Sequence, residues 1–155
     1  MKNICFTGHR HIKITDELTQ KLEETLCSLI GQHGNIRFYA GGALGWDTLC
    51  AQTVLKLREN HPVSLHLILP CSETEQTLRW STVQKDTFRN IISAADSVEY
   101  VSENYFDGCM KLRNQRLIEL SDICICYYNE KKRASGTGQT VFMAQLKNID
   151  IINLF

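Results

Sequence analysis

The chain has 155 residues, a length typical of about one folding domain. Seventeen Lys and Arg residues balance 17 Asp and Glu residues, so the formal net charge is zero and there is no basic excess to attract nucleic acid or an anionic membrane. Hydrophobic residues make up 43% of the chain and charged residues 22%, which excludes a disordered chain. No apolar run approaches the roughly 18–20 residues that a membrane span needs.

The N-terminal segment and the cysteines are typical of a cytoplasmic protein. The apolar stretch between Met1 and Arg10 is too short for a secretory signal and predicts the first strand of the fold. The seven cysteines are an odd number without a C-x-x-C pair, and Cys124 and Cys126 alternate along one predicted strand with no chelating loop between them. The five histidines are widely scattered. We therefore predict reduced, structural cysteines, and the sequence indicates neither a metal site nor a cofactor.

Six apolar, β-rich runs alternate with helical patterns along the chain. Strands are predicted at Ile4–Thr7, Arg37–Ala40, Val63–Leu69, Ser97–Val101, Ile123–Tyr128 and Ile149–Leu154. Helices are predicted from Thr15 or Asp16 to Gly31 or Gly34, from Trp46 to Leu57, around Phe88–Ala95, over Cys109–Leu120 and over Gly138–Lys147. Since parallel neighbours need a helical crossover, this alternation predicts an α/β fold.

The predicted architecture is a single Rossmann-like domain over residues 1–155. It has a mainly parallel sheet of about six strands, with helices on both faces. The nearly continuous apolar runs Val63–Leu69 and Ile123–Tyr128 favour strands that are covered on both sides. In such a sheet, ligands bind beyond the carboxyl ends of the strands. We therefore expect functional residues in the loops that follow each strand, beginning with Thr7 and Gly8.

Two of these loops are rich in glycine and precede helices. Gly41, Gly42 and Gly45 follow the second strand, and Ser135–Gly138 precedes the last helix. Free backbone amides at a helix N-terminus favour phosphate, and glycine permits close approach of a ligand. The alternative interpretation is a tight turn with no ligand. Asp47 is suited either to binding a ribose hydroxyl or to stabilising the helix start. The basic run 131–133, in the loop after the fifth strand, is interpreted as a solvated loop.

Arginine side chains are the second signal of an anion site. Arg113 and Asn114 fall within the apolar stripe of the fourth helix rather than opposite it. A buried arginine needs a partner, which is either an internal carboxylate or an anionic ligand in the cleft. Arg10, at the end of the first strand, is a second candidate.

The loop after the third strand offers two acids and an aromatic residue. Glu73 and Glu75 suit acid–base chemistry, but acids are also favoured at helix starts. Trp80 suits stacking on a base or packing in the core. Cys71 is the one thiol in this region that merits a test for reactivity.

Taken in order, these motifs resemble a known family. The series comprises Phe6–Arg10, Gly41–Asp47, Pro70 with Glu73, Glu75, Gln76 and Trp80, then Arg113-Asn114 and Ser135–Gly138. It resembles the YpsA-like family of the SLOG superfamily over essentially the whole chain, from Ile4 to about Leu154. The resemblance implies a Rossmann-like fold and a pocket for a nucleotide or nucleotide-derived ligand, but it does not supply a reaction. The segment 42–47 also resembles the DprA proteins, which bind single-stranded DNA, although the neutral charge argues against nucleic acid here.

A second branch of the superfamily implies an enzymatic alternative. The "lonely guy" phosphoribohydrolases carry Pro-Gly-Gly-x-Gly-Thr-x-x-Glu, whose Glu is catalytic, together with a catalytic Arg in a helix. Over Ala134–Phe142 this sequence has Phe142 in place of that Glu, whereas Arg113 resembles the helical Arg. The resemblance therefore implies nucleotide hydrolysis only if Glu73 or Glu75 replaces the missing carboxylate.

Three functions follow as hypotheses. The first is binding or sensing of a nucleotide-like small molecule at the carboxyl edge of the sheet, the second is a nucleotide N-glycosidase, and the third is an interaction module with a vestigial pocket. A homo-oligomer is compatible with each of them, and no membrane partner is expected. The expected ligand-binding residues are Thr7, Gly8, Arg10, Gly41, Gly42, Gly45, Asp47, Glu73, Trp80, Arg113, Asn114, Ser135, Gly136, Thr137 and Gly138.

Overall fold

A six-stranded parallel sheet forms the centre of the computed structural model, which describes residues 1–155. The strands are β1 (Lys2–Gly8), β2 (Ile36–Ala40), β3 (Val63–Leu69), β4 (Ser97–Tyr100), β5 (Ile123–Tyr127) and β6 (Asp150–Asn153). Their order across the sheet is β4-β3-β2-β1-β5-β6, and every neighbouring pair is parallel. The α/β, Rossmann-like prediction is confirmed.

Six helices connect the strands, and most begin at residues that cap them. They are α1 (Asp16–His33), α2 (Trp46–Arg58), α3 (Glu73–Gln76), α4 (Thr82–Ala94), α5 (Cys109–Leu120) and α6 (Gly136–Lys147). The Thr15 hydroxyl accepts the Leu18 amide at 3.1 Å, and Ser81 and Gln84 form a reciprocal capping box at the start of α4. None of these helices combines the length and the apolar character that crossing a membrane requires.

The first face of the sheet carries the larger core. Alternate strand residues such as Phe6, Phe38 and Leu65 point to this face and are fully buried, and the Phe6 and Phe38 rings stack with centroids 5.6 Å apart. The leucine stripe of α1 and residues of α2 and α4 cover them. Burial of these side chains supplies the main stabilisation, at about 25 cal/mol per Å² of apolar surface.

The second face is covered only in part. Leu117 and Ile118 of α5, together with Val141 and Ala144 of α6, pack over the central strands. Towards β2–β4, however, residues of this face such as His66 remain half-buried, and Ser97 is exposed. The sequence interpretation of Val63–Leu69 as a strand covered on both sides is therefore wrong for its first half, where polar Ser64 and His66 alternate with leucines.

The cysteines lie mainly inside the two cores. All seven are free thiols, and six of them are buried while Cys27 is exposed on α1. Burial raises the pKa of Cys126 to about 12, and it also raises the pKa of Cys50. These thiols stay protonated at neutral pH and pack as small apolar side chains.

The chain order reverses beside β1. From β1 the sheet grows in one direction through β2 to β4, and the chain then returns to add β5 and β6 on the opposite side of β1. The loops that leave β1 and β5 consequently run to helices on opposite faces of the sheet, which opens a crevice between them. Of the predicted elements, the helix around Phe88–Ala95 begins earlier, at Thr82, and the short helix α3 is additional.

Candidate functional site

A cleft of about 330 Å³ lies at the carboxyl edge of the sheet, where the chain order reverses. It is lined by Phe6, Thr7, Gly8, His9, Arg10, His11, Ala43, Asp47, Met110, Arg113, Asn114, Lys132, Ser135, Gly136 and Thr137. The strand end of β1, the start of α2, the first turns of α5 and the start of α6 therefore meet around one cavity. Such a crevice is the usual ligand position in an open α/β sheet.

Nine of the residues expected from the sequence line this cleft, and six do not. The nine are Thr7, Gly8, Arg10, Asp47, Arg113, Asn114, Ser135, Gly136 and Thr137, whereas Gly41, Gly42, Gly45, Glu73, Trp80 and Gly138 lie outside its lining. Trp80 is half-buried, and its ring centroid lies 5.2 Å from that of Phe88. Glu73 forms an ion pair with Arg89 at 3.2 Å. The structure thus places these two side chains against the protein itself.

Arg113 is a buried cation without a directly bonded carboxylate. Its side chain is on the inner face of α5 and the residue is only 4% exposed. Nη1 donates to the Gly41 carbonyl, and Nε donates to the Asn114 side-chain oxygen at 2.7 Å. No carboxylate oxygen lies within 4.0 Å of its guanidinium, although Asp47 is close enough to interact through space. Burial, together with repulsion from Arg10, lowers the pKa of Arg113.

The Met110 sulfur contacts the guanidinium groups of two arginines at one side of the cleft. The Met110 sulfur lies 3.8 Å from Nη2 of Arg113 and also 3.8 Å from Nη2 of Arg10. The two nitrogens are therefore within twice that distance of each other. Like charges held so close repel, and a sulfur atom is too weak an acceptor to compensate for this repulsion. An anion between the two arginines would relieve it.

Asp47 is the only carboxylate that lines the cleft. The residue is 5% exposed, and burial raises its pKa in spite of the nearby Arg113. One carboxylate oxygen accepts the Ala43 amide at 3.2 Å, which fixes the loop between β2 and α2. Because Asp47 occupies this amide, the glycine-rich loop offers fewer free donors than its sequence suggests.

The glycines of that loop serve close packing. A Cβ atom on Gly41 would lie 2.6 Å from Nη1 of Arg113 and 2.9 Å from the Asp47 carboxylate. Gly45 has φ +74°, and a Cβ there would overlap the Arg10 carbonyl oxygen. Gly8 is pressed against the indole of Trp46, whose side chain is fully buried. These close approaches bring the backbone and Arg113 together at the cleft floor.

The start of α6 presents unoccupied donors to the cleft. The Ser135 hydroxyl caps the helix by accepting the Gly138 amide at 3.1 Å. The preceding amides, of Gly136 and Thr137, have no acceptor within the protein, and both residues line the cleft. Gly138 itself is buried against the Arg133 backbone. Both predicted helix starts thus border the cleft, with two free amides at the start of α6 and the Ala43 amide before α2 already engaged by Asp47.

Sequence reasoning missed three basic residues of the cleft. Lys132 lies in the 3-10 turn Glu130–Lys132, within the basic run for which the sequence predicts a solvated loop. It lines the cavity, although its neighbours in the run do not. His9 and His11 follow β1 and also line it. Their position directly after β1, where ligand-binding residues are expected, was the sequence signal that could have identified them. Three permanent cations, Arg10, Arg113 and Lys132, thus face one carboxylate in a protein whose net charge is zero.

His9 connects three loops around the cleft. Its backbone amide donates to the Tyr127 carbonyl at 3.3 Å, and its carbonyl accepts the Trp46 amide at 3.3 Å. Its Nε2 accepts the Asn129 amide at 3.0 Å, so this nitrogen is unprotonated and the ring is neutral. Burial, and then the charge of Lys132, lower the pKa of His9.

This arrangement predicts that stability falls in mildly acidic solution. His9 of the unfolded chain binds a proton below about pH 6.5, but the folded protein resists protonation because its pKa is lower. The free energy of unfolding should therefore decrease as the pH falls from about 7.5 to 5.5. Urea denaturation at each pH measures it. The variant His9→Gln keeps an acceptor but does not titrate, so it should show a weaker pH dependence; an unchanged slope would contradict the assignment to His9.

The remaining candidates for chemistry lie away from the cavity. Glu75 accepts the Tyr105 amide, and with Glu73 it belongs to α3 rather than to the cleft lining. Phe142, which replaces the phosphoribohydrolase glutamate, is 59% exposed on the outside of α6. Cys71 is fully buried, and burial raises its pKa, which disfavours the reactive thiolate.

Comparisons with known proteins agree with the family resemblance. The YpsA family model, described as the YspA SLOG family, matches residues 3–153. A UPF0398 protein of Halalkalibacterium halodurans is 29% identical over 148 residues, which cover 87% of this chain and 76% of the relative. The uncharacterized SPbeta prophage-derived protein YoqJ of Bacillus subtilis is 29% identical over 138 residues, with 81% and 77% covered.

A third relative is longer than the matched region. The UPF0398 protein of Brevibacillus brevis is 30% identical over 122 residues, which cover 77% of this chain but only 59% of that protein. The family model, in contrast, extends over nearly all of the sheet and all of the cleft residues. This chain belongs to the YpsA family of SLOG proteins.

Proposed function

We propose that the cleft binds a phosphorylated, nucleotide-like small molecule. The observation that carries this proposal is Arg113, a 4% exposed guanidinium that faces the cavity without a directly bonded carboxylate. Leaving a buried charge uncompensated is costly, whereas a phosphate oxygen accepts strong, charge-assisted hydrogen bonds from arginine. Ligand binding therefore gives this side chain the partner that the protein does not provide.

The surrounding groups favour the same kind of ligand. Arg10 and Lys132 add positive charge, and the free amides of Gly136 and Thr137 add donors at the positive end of the α6 dipole. Asp47 supplies the only carboxylate acceptor for a ribose hydroxyl. A cavity of about 330 Å³ accommodates a nucleoside phosphate at the small end of the usual range for ligand sites.

The N-glycosidase alternative requires a catalytic glutamate, but no glutamate lines the cavity. Glu73 and Glu75 lie outside the lining, and Asp47 is the only carboxylate within it. We therefore propose binding or sensing as the function, with hydrolysis as an outcome that the same experiment detects.

Ligand-observed NMR with AMP, ADP-ribose, NAD and cyclic nucleotides tests the proposal. We expect saturation transfer to at least one nucleotide, competition by inorganic pyrophosphate, and no competition by the corresponding nucleoside, because the phosphate provides the main contact. Free base in the spectra would instead establish an N-glycosidase. The absence of binding by every nucleotide and by pyrophosphate would refute the proposal.

A further inference from the structure

The outer face of α6 differs from the outer faces of the other long helices. Of its twelve residues only Lys147 is charged, and its Nζ donates to three backbone carbonyls at the end of α5, at 2.8 to 3.0 Å. The helices α1 and α4, in contrast, carry several acidic and basic side chains. Phe142 and Leu146 lie one turn apart on α6 and are 59% and 72% exposed. Depletion of charge around exposed large apolar side chains is typical of the centre of a protein interface.

A groove runs between α6 and its neighbour α5. Its volume is about 580 Å³, and Ile118, Met143 and Leu146 form its apolar part. Both helices return from the carboxyl edge of the parallel sheet to its opposite edge, so they point in the same direction. We define the α5–α6 face by Lys111, Leu112, Gln115 and Glu119 of α5 with Gln139, Phe142, Met143 and Leu146 of α6.

The charges on this face are complementary to themselves. Lys111 and Glu119 are exposed, lie near opposite ends of α5, and are separated by Gln115 on the intervening turn. Lys111 has no ion pair, and Glu119 has only a 3.9 Å contact with Arg116, which is already bonded to Glu99. Rotation by 180° about an axis that lies in the plane of the face, perpendicular to α5 at the level of Gln115, would place Lys111 of one molecule opposite Glu119 of the other, twice.

We propose that the α5–α6 face binds a second copy of this chain as a two-fold symmetric dimer. The α5 helices are antiparallel in this dimer, with the two Lys111–Glu119 pairs at the rim. Phe142 and Leu146 of each molecule bury their side chains against the partner at the centre. A two-fold interface requires a self-complementary surface, and this face combines an uncharged apolar centre with opposite charges at matching distances from it.

Charge reversal tests the symmetry directly. Sedimentation equilibrium of the full chain, from low micromolar to submillimolar concentration, should detect dimers. Lys111→Glu and Glu119→Lys should each weaken dimerisation by at least about tenfold, because each creates two like-charge pairs across the interface. The double variant K111E/E119K should restore dimerisation to within about threefold of the unmodified protein, since the pairs return with opposite polarity. If the double variant dimerised as weakly as the two single variants, the proposed arrangement would be wrong.

Apolar contacts are tested with a matched control. Phe142→Lys should abolish dimerisation at every concentration, whereas Val83→Lys on α4, where the side chain is 74% exposed, should leave it unchanged. Circular dichroism verifies that both variants are folded. A chain that sediments as a monomer throughout, or a dimer that survives Phe142→Lys, would overturn the proposal. These measurements need no ligand, so their outcome is independent of nucleotide binding in the cleft.

Discussion

Arg113→Met should weaken binding of the nucleotide by at least about tenfold and up to about a hundredfold, while the protein remains folded. Methionine has a similar length and no charge, so it fills the inner face of α5 without leaving a cavity. The variant loses the charge-assisted hydrogen bonds to phosphate, and Asp47 then lacks its nearest cation. We therefore also expect the pKa of Asp47 to rise further, because Arg113 no longer offsets the effect of burial.

Titration calorimetry with the nucleotide found by NMR measures the loss of affinity. Arg116→Met is the matched control, because Arg116 lies on the same helix but forms a surface ion pair with Glu99 at 2.9 Å and does not line the cleft. Arg113→Lys should bind with intermediate affinity, since lysine retains the charge but not the planar fork of donors. If Arg113→Met and Arg116→Met had equal affinities, Arg113 would not contact the ligand.

Gly45→Ala should be the most destabilising small substitution in the chain, lowering the free energy of unfolding by about 3 kcal/mol or more. Gly45 precedes α2 with φ +74° and ψ −117°, a conformation that only glycine adopts readily. A Cβ atom would also overlap the Arg10 carbonyl, which is backbone and cannot rotate away as a side chain would. The loop that follows β1 would have to move away from the start of α2.

Gly31→Ala should, in contrast, stabilise the protein. Gly31 lies within α1, is exposed, and has no atom within 4 Å of the position of an added Cβ. Alanine there should raise the free energy of unfolding by about 0.5–1 kcal/mol, because it reduces the entropy of the unfolded chain. Urea denaturation of both variants measures the difference. Similar stabilities for Gly45→Ala and the unmodified protein would show that the loop relaxes without strain.

The fold was predictable because its elements are locally consistent. The six strands and the apolar stripes of the long helices follow from residue periodicity, as the leucines of α1 illustrate. The short helix α3 was not predictable, since four residues carry no periodicity. The partly covered section of the second face was not predicted, because Val63–Leu69 is largely apolar and only the alternation of Ser64 and His66 with Val63, Leu65 and Leu67 indicates one half-buried side.

The site was predictable where chemistry and strand position coincide. The inward direction of Arg113 follows from helical geometry, and burial of this side chain confirms that part of the reasoning. The engagement of the Ala43 amide by Asp47 and the packing of Trp80 on Phe88 depend on tertiary contacts that one sequence does not encode locally. Lys132 was overlooked because a charge run in a loop is usually solvated, and only the path of the 3-10 turn brings one of its members to the cavity.

The reversal of strand order beside β1 has a consequence for folding energetics. The cleft draws on β1 and α2 from the first part of the chain and on α5 and α6 from the last part, so a ligand in it connects segments that are far apart in sequence. A free ligand concentration of 100 times the dissociation constant would raise the free energy of unfolding by about 2.7 kcal/mol. The concentration of the ligand would therefore determine how strongly the N-terminal and C-terminal parts of the chain are held together.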